Sequence, residues 1–144
     1  KECKIMEIRK LEKENLEDTL KILHQDTLRY ADGDYPGPGW VGDMIENKER
    51  CFAFGLFEEN VLVSVLLSEK LIHKGCILWY IATDPEKRSL GYGGKLLEYF
   101  EEVVKSEGLK WIFLNATEDS LNFYKKHGFI TSKYSKVYEH VKEF

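Results

Sequence analysis

The chain has 144 residues and a mass of 16.9 kDa, a length that predicts one domain whose core needs no disulfide or structural metal. With 43% hydrophobic and 32% charged residues, the composition excludes intrinsic disorder, and the longest apolar runs, Val61–Leu67 and Cys76–Ala82, are too short to span a bilayer. The net charge of −4 and the scattered Lys and Arg argue against a nucleic-acid groove, so we expect neither nucleic acid nor a membrane as a partner.

The three cysteines, Cys3, Cys51 and Cys76, form no Cys-x-x-Cys pair and lie beside no His at the spacing of metal ligands. We therefore expect a reducing, cytoplasmic location and no metal. The chain opens on Lys1-Glu2-Cys3-Lys4, without an apolar signal segment or an initiating Met. We expect it to begin internally or after processing, and neither case implies export.

The first part of the chain predicts a strand followed by two helices. Alternation over Lys4–Arg9 is typical of a short strand, and leucines near helical spacing over Glu14–Tyr30 indicate a helix. The segment Tyr30–Trp40 is rich in Pro and Gly and predicts a loop, and Trp40–Lys48 predicts a second short helix. No repeat or linker interrupts this order.

The middle of the chain predicts a hairpin and a central strand. Cys51–Phe57 and Val61–Leu67 are β-rich runs joined by three residues, Glu58-Glu59-Asn60, of which Asn tolerates the left-handed conformation. Cys76–Thr83 is rich in aromatic and β-branched residues and is ended by Asp84-Pro85. It therefore predicts a central strand.

After Gly91 the apolar pattern changes to helical spacing. The remaining predictions are a helix from Gly91 to Gly108, a buried strand at Lys110–Leu114, a helix capped by Thr117 and running to about His127, and closing strands at Phe129–Ser132 and Ser135–Val141. Together these elements predict an α/β domain with mixed strand pairing.

The segment Asp84–Lys95 links a strand to a helix and contains the residues most typical of a ligand site. Its glycines let the backbone approach a ligand, and the N–H groups that begin the helix favour a phosphate or pyrophosphate. A glycine-rich turn without a ligand is the alternative. The P-loop pattern fails because Leu96 follows Gly94-Lys95, and the dinucleotide pattern fails because Leu96 replaces its third Gly.

The pattern Arg88-x-x-Gly91-x-Gly93, together with Asn122–Phe129 about thirty residues later, resembles the GNAT superfamily of acyl-CoA-dependent N-acetyltransferases. The first element is similar to the family's pyrophosphate loop, and the second to its Phe-Tyr-x-x-x-Gly-Phe segment. The resemblance spans residues 1–144 as a single domain. It implies a mixed, mostly antiparallel sheet of six to seven strands, about four flanking helices, and a fourth and fifth strand that splay apart.

The resemblance implies acetyl-CoA as the cosubstrate, held by the fourth strand, the loop and the later helix. The backbone of Ile81 would also polarise the thioester carbonyl, because fixed donors stabilise developing negative charge. Asn115 and Asn122 could bond the pantetheine arm or cap a turn. The CoA-binding residues implied are Ile81, Ala82, Thr83, Arg88, Ser89, Leu90, Gly91, Tyr92, Gly93, Gly94, Lys95, Asn115, Asn122 and Tyr124.

Tyr124 matches the tyrosine of the family that protonates the departing thiolate. A phenol with a pKa of about 10 is protonated at neutral pH and can donate to a thiolate whose conjugate acid has a pKa near 8.5. A core aromatic role beside Phe123 and Phe129 is the alternative. Cys76 could suggest an acyl-cysteine route, but a buried strand Cys is normally inert.

The general base is not identified by the resemblance. Some members carry a Glu on the fourth strand eleven residues before the loop's Arg or Gln, and here that position is Ile77. Glu69 and His73 are the candidates nearest in sequence, and His24 is better explained as a structural histidine. A route in which the site selects the neutral amine is a further alternative.

The resemblance places the acceptor site at the first two helices and their connection. Carboxylates and aromatic rings there suit an ammonium group, which favours a small-molecule or peptide amine; the alternative is a solvated loop. The residues are Tyr30, Asp32, Asp34, Tyr35 and Trp40.

Two functions remain open: an N-acetyltransferase acting by direct transfer in a ternary complex, and a non-catalytic acyl-CoA-binding or sensing domain. Because many family members dimerise, the closing segment Phe129–Val141 could also pair across a two-fold axis in a homodimer.

Overall fold

The computed structural model describes residues 4–25, 36–133 and 138–144. The described residues form seven strands and four α-helices. The strands are β1 (Met6–Lys10), β2 (Cys51–Glu58), β3 (Val61–Lys70), β4 (Gly75–Thr83), β5 (Trp111–Leu114), β6 (Ile130–Thr131) and β7 (His140–Glu143), and the helices are α1 (Leu16–Gln25), α2 (Pro38–Glu46), α3 (Tyr92–Ser106) and α4 (Leu121–Lys126).

The strands form one sheet in the order β1-β2-β3-β4-β5-β7-β6. All neighbours pair antiparallel except β4 and β5, which are parallel and pair only over Gly75–Ile77 and Trp111–Phe113. Beyond those three pairs the two strands part. The sheet class, the helices and the splayed fourth and fifth strands predicted from the sequence are thereby confirmed.

Two apolar clusters cover the two faces of the sheet. One contains the buried side of α3 with Tyr124 and Phe129, and the other contains the buried sides of α1 and α2. In β2, Phe52 and Phe54 belong to the first cluster and Ala53 to the second, as strand alternation requires. The central strands are therefore buried on both sides. Within the described ranges, each helix is too short or too polar to cross a membrane.

The hairpin between β2 and β3 is tighter than the sequence predicted. Glu58 pairs with Val61, which leaves only Glu59 and Asn60 in the turn, at φ values of 50° and 66°. Two consecutive left-handed residues are the geometry of a two-residue turn that matches the twist of the strands. Glu58 extends β2 as a buried residue because its carboxylate accepts hydrogen bonds from Lys87 and Tyr92.

Other boundaries also differ from the predictions, and three of them have a clear physical reason. Helix α2 begins at Pro38 rather than Trp40, since Pro is favoured in a first helical turn. Helix α4 begins at Leu121 because the Thr117 carbonyl accepts from the amides of both Ser120 and Leu121 and closes a separate turn first. The last strand begins at His140, where pairing with β5 fixes its register.

Candidate functional site

A cavity of about 360 Å³ opens where β4 and β5 part. It extends along β4 from Trp79 to Thr83, reaches the loop that precedes α3, and is closed on the other side by α4. Its lining residues are Trp79, Tyr80, Ile81, Thr83, Lys87, Arg88, Ser89, Gly91, Tyr92, Gly93, Gly94, Asn115, Thr117, Ser120, Phe123 and Tyr124.

The loop at one end of the cavity has the geometry of an anion site. The Asp84 side chain accepts from the Glu86 amide at 3.0 Å, and the backbone then turns left-handed at Ser89 (φ 66°) and Gly91 (φ 81°), the N-cap of α3. The first intrahelical bond runs from Lys95 N to Gly91 O, so the amides of Tyr92, Gly93 and Gly94 precede the helical ladder. Converging N–H groups and the positive end of a 15-residue helix favour a phosphate group.

Gly93 leaves space that a side chain would fill. A Cβ at this position would lie 3.7 Å from Ile81 Cγ2 and 3.8 Å from Phe123 Cζ and Thr83 Oγ1. It would thus project into the gap between β4 and α4 without disturbing the backbone. This glycine keeps open the channel that leads from the loop to the middle of the cavity.

Glu58, at the end of β2, lies beneath the loop and holds both of its ends. Its Oε1 accepts from Lys87 Nζ at 2.8 Å and Lys4 Nζ at 3.3 Å, and its Oε2 accepts from the Tyr92 hydroxyl. The side chain is only 7% exposed. Hydrogen bonds from Lys87 and Tyr92 lower the pKa of this carboxyl to about 2. Sequence reasoning missed Glu58, although a charge ending a buried strand is a signal that could have found it.

Tyr124 lies at the opposite wall of the cavity, on α4. The residue is 9% exposed, and its ring packs edge to face on Phe123 at 5.1 Å and Phe129 at 5.7 Å between centroids. Both the cavity and the core therefore contact this ring, as the two readings of its role anticipated. A phenol fixed this way is oriented before any ligand arrives.

The predicted CoA-binding residues separate into two groups. Ala82, Leu90, Lys95 and Asn122 are not among the lining residues: Ala82 packs in the α1 and α2 cluster, and Leu90 and Asn122 point to solvent. Asn115 does line the cavity, and its Oδ1 accepts from the Glu139 amide at 2.7 Å, the capping role that was one of its two readings. The remaining predicted residues line the cavity: Ile81, Thr83, Arg88, Ser89, Gly91, Tyr92, Gly93, Gly94 and Tyr124.

The two candidate bases occupy different places. His73 lies in the turn before β4, eight residues from Ile81, and the six residue steps of β4 from Gly75 to Ile81 alone span roughly 20 Å. Glu69 lies opposite Ile77 on the neighbouring strand, with Oε1 accepting from Trp79 Nε1 at 3.2 Å and Oε2 from Arg50 Nε at 2.8 Å. The structure thus brings Glu69 to Trp79 at the cavity and leaves His73 at the far end of β4.

Two other groups considered in the sequence analysis, Cys76 and His24, do not line the cavity. Burial raises the pKa of the Cys76 thiol to about 12, which leaves it protonated and unreactive at neutral pH. A ring nitrogen of His24 lies 3.3 Å from the Pro36 carbonyl oxygen.

The predicted acceptor residues are only partly described. Tyr30, Asp32, Asp34 and Tyr35 lie outside the described residues. Trp40 lies on α2 and packs edge to face against Trp79 and Tyr80 of β4, with centroids 6.0 and 5.7 Å apart. Sequence reasoning did not anticipate the two β4 aromatics, since it read β4 as a regular central strand.

Comparison with protein families gives a match to the acetyltransferase (GNAT) family over residues 7–129. Among curated proteins, the S-alkylcysteine N-acetyltransferase of Bacillus subtilis strain 168 is 32% identical over 106 residues, 67% of this chain. The matched part spans only 60% of that relative's own length. An uncharacterized N-acetyltransferase of the same strain, YhdJ, is 33% identical over 60% of this chain and 67% of its own.

Among solved structures, the PaiA N-acetyltransferase of Thermoplasma acidophilum in complex with coenzyme A superposes with a TM-score of 0.81. The superposition covers 97% of this chain and 99% of that one, at 19% sequence identity. At that identity the likeness concerns the fold alone.

Proposed function

The chain belongs to the GNAT acetyltransferase family, and from that premise we propose that it transfers the acetyl group of acetyl-CoA directly to a primary amine of a small molecule or peptide. The observation that carries the proposal is one cavity that joins an anion-binding loop to a buried tyrosine. The relative named for S-alkylcysteine supports an amine acceptor.

The residues present fit the cosubstrate. The amides at the start of α3 suit a pyrophosphate, and the edge of β4 from which β5 parts beyond Ile77 suits an extended arm with amide groups. Acetyl-CoA, when bound, supplies the activated thioester. Arg88 to Gly94 would hold its anionic end, and the backbone of Ile81 and Thr83 would align its arm.

The chain's own residues then have two tasks in the transfer. A bond forms between the amine nitrogen and the acetyl carbon while the carbon–sulfur bond breaks. The backbone N–H at Ile81 would donate to the carbonyl oxygen as negative charge develops there. Tyr124 would give its hydroxyl proton to the departing sulfur and regain a proton from water, while the amine loses one proton.

The amine proton needs no dedicated base in this proposal. Both carboxylate oxygens of Glu69 already accept hydrogen bonds, and His73 lies at the far end of β4. We therefore infer that the site takes the amine in its neutral form. On this route we expect the Glu69→Gln variant to acetylate amines at the wild-type rate. We also expect kcat/KM to rise with pH up to the pKa of the amine.

Calorimetric titration with acetyl-CoA, with ATP and NADH as controls, tests the ligand class. Release of CoA with a panel of amines then tests catalysis. We expect saturable binding of acetyl-CoA alone and amine-dependent CoA release. Tyr124→Phe should lower kcat about a hundredfold and leave acetyl-CoA affinity nearly unchanged, because the variant removes the proton donor but keeps the ring packing.

Tyr99→Phe, which removes one hydroxyl from a half-exposed residue of α3, is the matched control and should keep full activity. Binding of acetyl-CoA without acetylation of any amine would favour the non-catalytic sensing domain instead. Equal binding of all three nucleotides would overturn the assignment of the loop.

A further inference from the structure

We propose that the cleft formed by Trp40, Trp79 and Tyr80, named here the aromatic cleft, selects acceptors whose primary amine is carried on an aromatic or bulky apolar group. The proposal rests on the proposed function, since it names the acceptor class of the same cavity. It concerns side chains that neither the family match nor the named relatives assign.

A β-bulge builds the cleft. In the pairing of β3 with β4, Leu67 is opposite Tyr80 and Ser68 is opposite Leu78, so Trp79 is an extra residue. Before the bulge Leu78 packs in the α3 cluster, and after it Tyr80 packs in the cluster of α1 and α2. The alternation shifts by one residue, and both Trp79 and Tyr80 meet Trp40 of α2.

The cleft exposes aromatic surface that the core does not use. Trp79 is 40% exposed and Trp40 is 38% exposed, and their rings meet nearly perpendicular, at 87°. Tryptophan carries the largest apolar surface of any side chain, so two adjacent, partly exposed tryptophans are a typical ligand-contact surface. The cleft therefore offers ring faces to a neighbouring apolar group.

The indole N–H of Trp79 already has a hydrogen-bond acceptor within the protein. This group donates to Glu69 Oε1, and Glu69 Oε2 accepts from Arg50. Arg50 thereby neutralises the carboxylate that contacts Trp79. This carboxylate would attract the further ammonium groups of a polyamine only weakly, because Arg50 compensates its charge. An apolar carrier needs no ionic partner, so the cleft favours the apolar carrier.

The position of the cleft suits the acceptor. Trp79 and Tyr80 line the same cavity as Tyr124, and Trp79 precedes Ile81 by two residues, about 7 Å along the strand. An amine attacking beside Ile81 would place a carrier of two or three carbons and a ring against Trp79. The anion-binding loop lies at the other end of β4, beyond Thr83.

Initial rates of CoA release with 2-phenylethylamine, n-propylamine and spermidine, at saturating acetyl-CoA, test the proposal. We expect wild-type kcat/KM for 2-phenylethylamine to exceed that for n-propylamine at least tenfold, a typical gain from aromatic contact. Trp79→Ala should lose about tenfold on 2-phenylethylamine and less than twofold on n-propylamine, with the KM for acetyl-CoA unchanged. Trp79→Phe should recover most of the loss, since it restores an aromatic ring.

The control is Tyr99→Ala, a half-exposed aromatic of α3 that packs on Phe54 and does not line the cavity, which should alter neither preference. A wild-type preference for spermidine, or an equal loss on all amines in Trp79→Ala with the KM for acetyl-CoA unchanged, would overturn this proposal alone. Failure of the wild type to acetylate any of the three amines would overturn the proposed function and this inference with it. Trp40→Ala should show the same selective loss. Because Trp40 lies on α2, this result would show that the loss does not come from a folding defect at the bulge.

Discussion

Glu58 shows how one side chain links a distant hairpin to the loop before α3. Its carboxylate holds Lys87, which precedes the left-handed turn, and Tyr92, which begins the helix. The two ends of the loop are thus fixed to the same anion. Removing that anion would leave the partly buried Lys87 ammonium and the buried Tyr92 phenol without their shared acceptor, which costs stability.

The depressed pKa of Glu58 gives its contribution a defined pH window. Because the folded-state pKa is about 2 and a free Glu titrates near 4.3, the stabilisation is complete above about pH 4.5 and is lost as the pH falls toward 2. We expect Glu58→Gln to be less stable than the wild type at pH 7, with a difference that shrinks between pH 4.5 and 2. Urea unfolding across this range measures it.

Glu49→Gln, at an exposed position, is the control for that series and should follow the wild type at every pH. A stability difference for Glu58→Gln that stays constant down to pH 2.5 would contradict the assignment of the carboxylate.

At the scale of elements, two glycines at the start of α3 have different roles. One allows a left-handed backbone conformation, and the other leaves space for a ligand. Gly91 adopts a φ of 81°, whereas Gly93 lies in the helix facing the channel. Gly93→Ala should therefore weaken acetyl-CoA binding about tenfold, because the methyl group occupies the channel. It should leave stability unchanged or raise it by about 0.5 kcal/mol, since Ala restricts the unfolded chain.

The matched control is Gly108→Ala, at the other end of the same helix. Gly108 has a φ of 76° and open space around it, so an alanine there strains the backbone by about 1–2 kcal/mol without touching the cavity. We expect lower stability and unchanged binding, the reverse of Gly93→Ala. Calorimetry measures the acetyl-CoA affinity of both variants, and thermal unfolding measures their stability. Wild-type affinity in Gly93→Ala would contradict the proposal that Gly93 keeps the channel open.

At the scale of the whole molecule, the sheet consists of two parts joined by three residue pairs between β4 and β5. Within the part of the chain that the structure describes, no strand pairs with the edge of β4 that faces β5 beyond Ile77. We expect peptides covering residues 79–83 to exchange backbone hydrogens faster than residues 75–77, and acetyl-CoA to slow that exchange selectively, as hydrogen–deuterium exchange would measure.

Adenosine 3′,5′-bisphosphate, which lacks the pantetheine arm, is the control and should protect the loop at residues 88–94 but not residues 79–81. Equal protection of residues 75–77 and 79–83 in the free protein would show that the β4 edge is already paired.

Local patterns in the sequence predicted the order of elements and the glycine-rich loop, because strand alternation, helical spacing and glycine positions depend on neighbouring residues. Tyr124 was identified by the family resemblance and not by such a pattern. Glu58, Trp79 and Tyr80 could not be predicted in this way. Their positions depend on the register of β3 against its two neighbours, and a turn of two residues or a single bulge changes which face a side chain occupies.

Because of the bulge at Trp79, the β4 residues that stabilise the core are different from the residue that would contact a substrate. Flanking β4 positions such as Leu78 and Ala82 are buried and constrained by packing, but the extra residue has no counterpart on β3 and faces outward. Substitution there can change the shape of the cleft at little cost to the core. Residue 79 is thus the position where a new substrate range could evolve, or be engineered, while the scaffold stays the same.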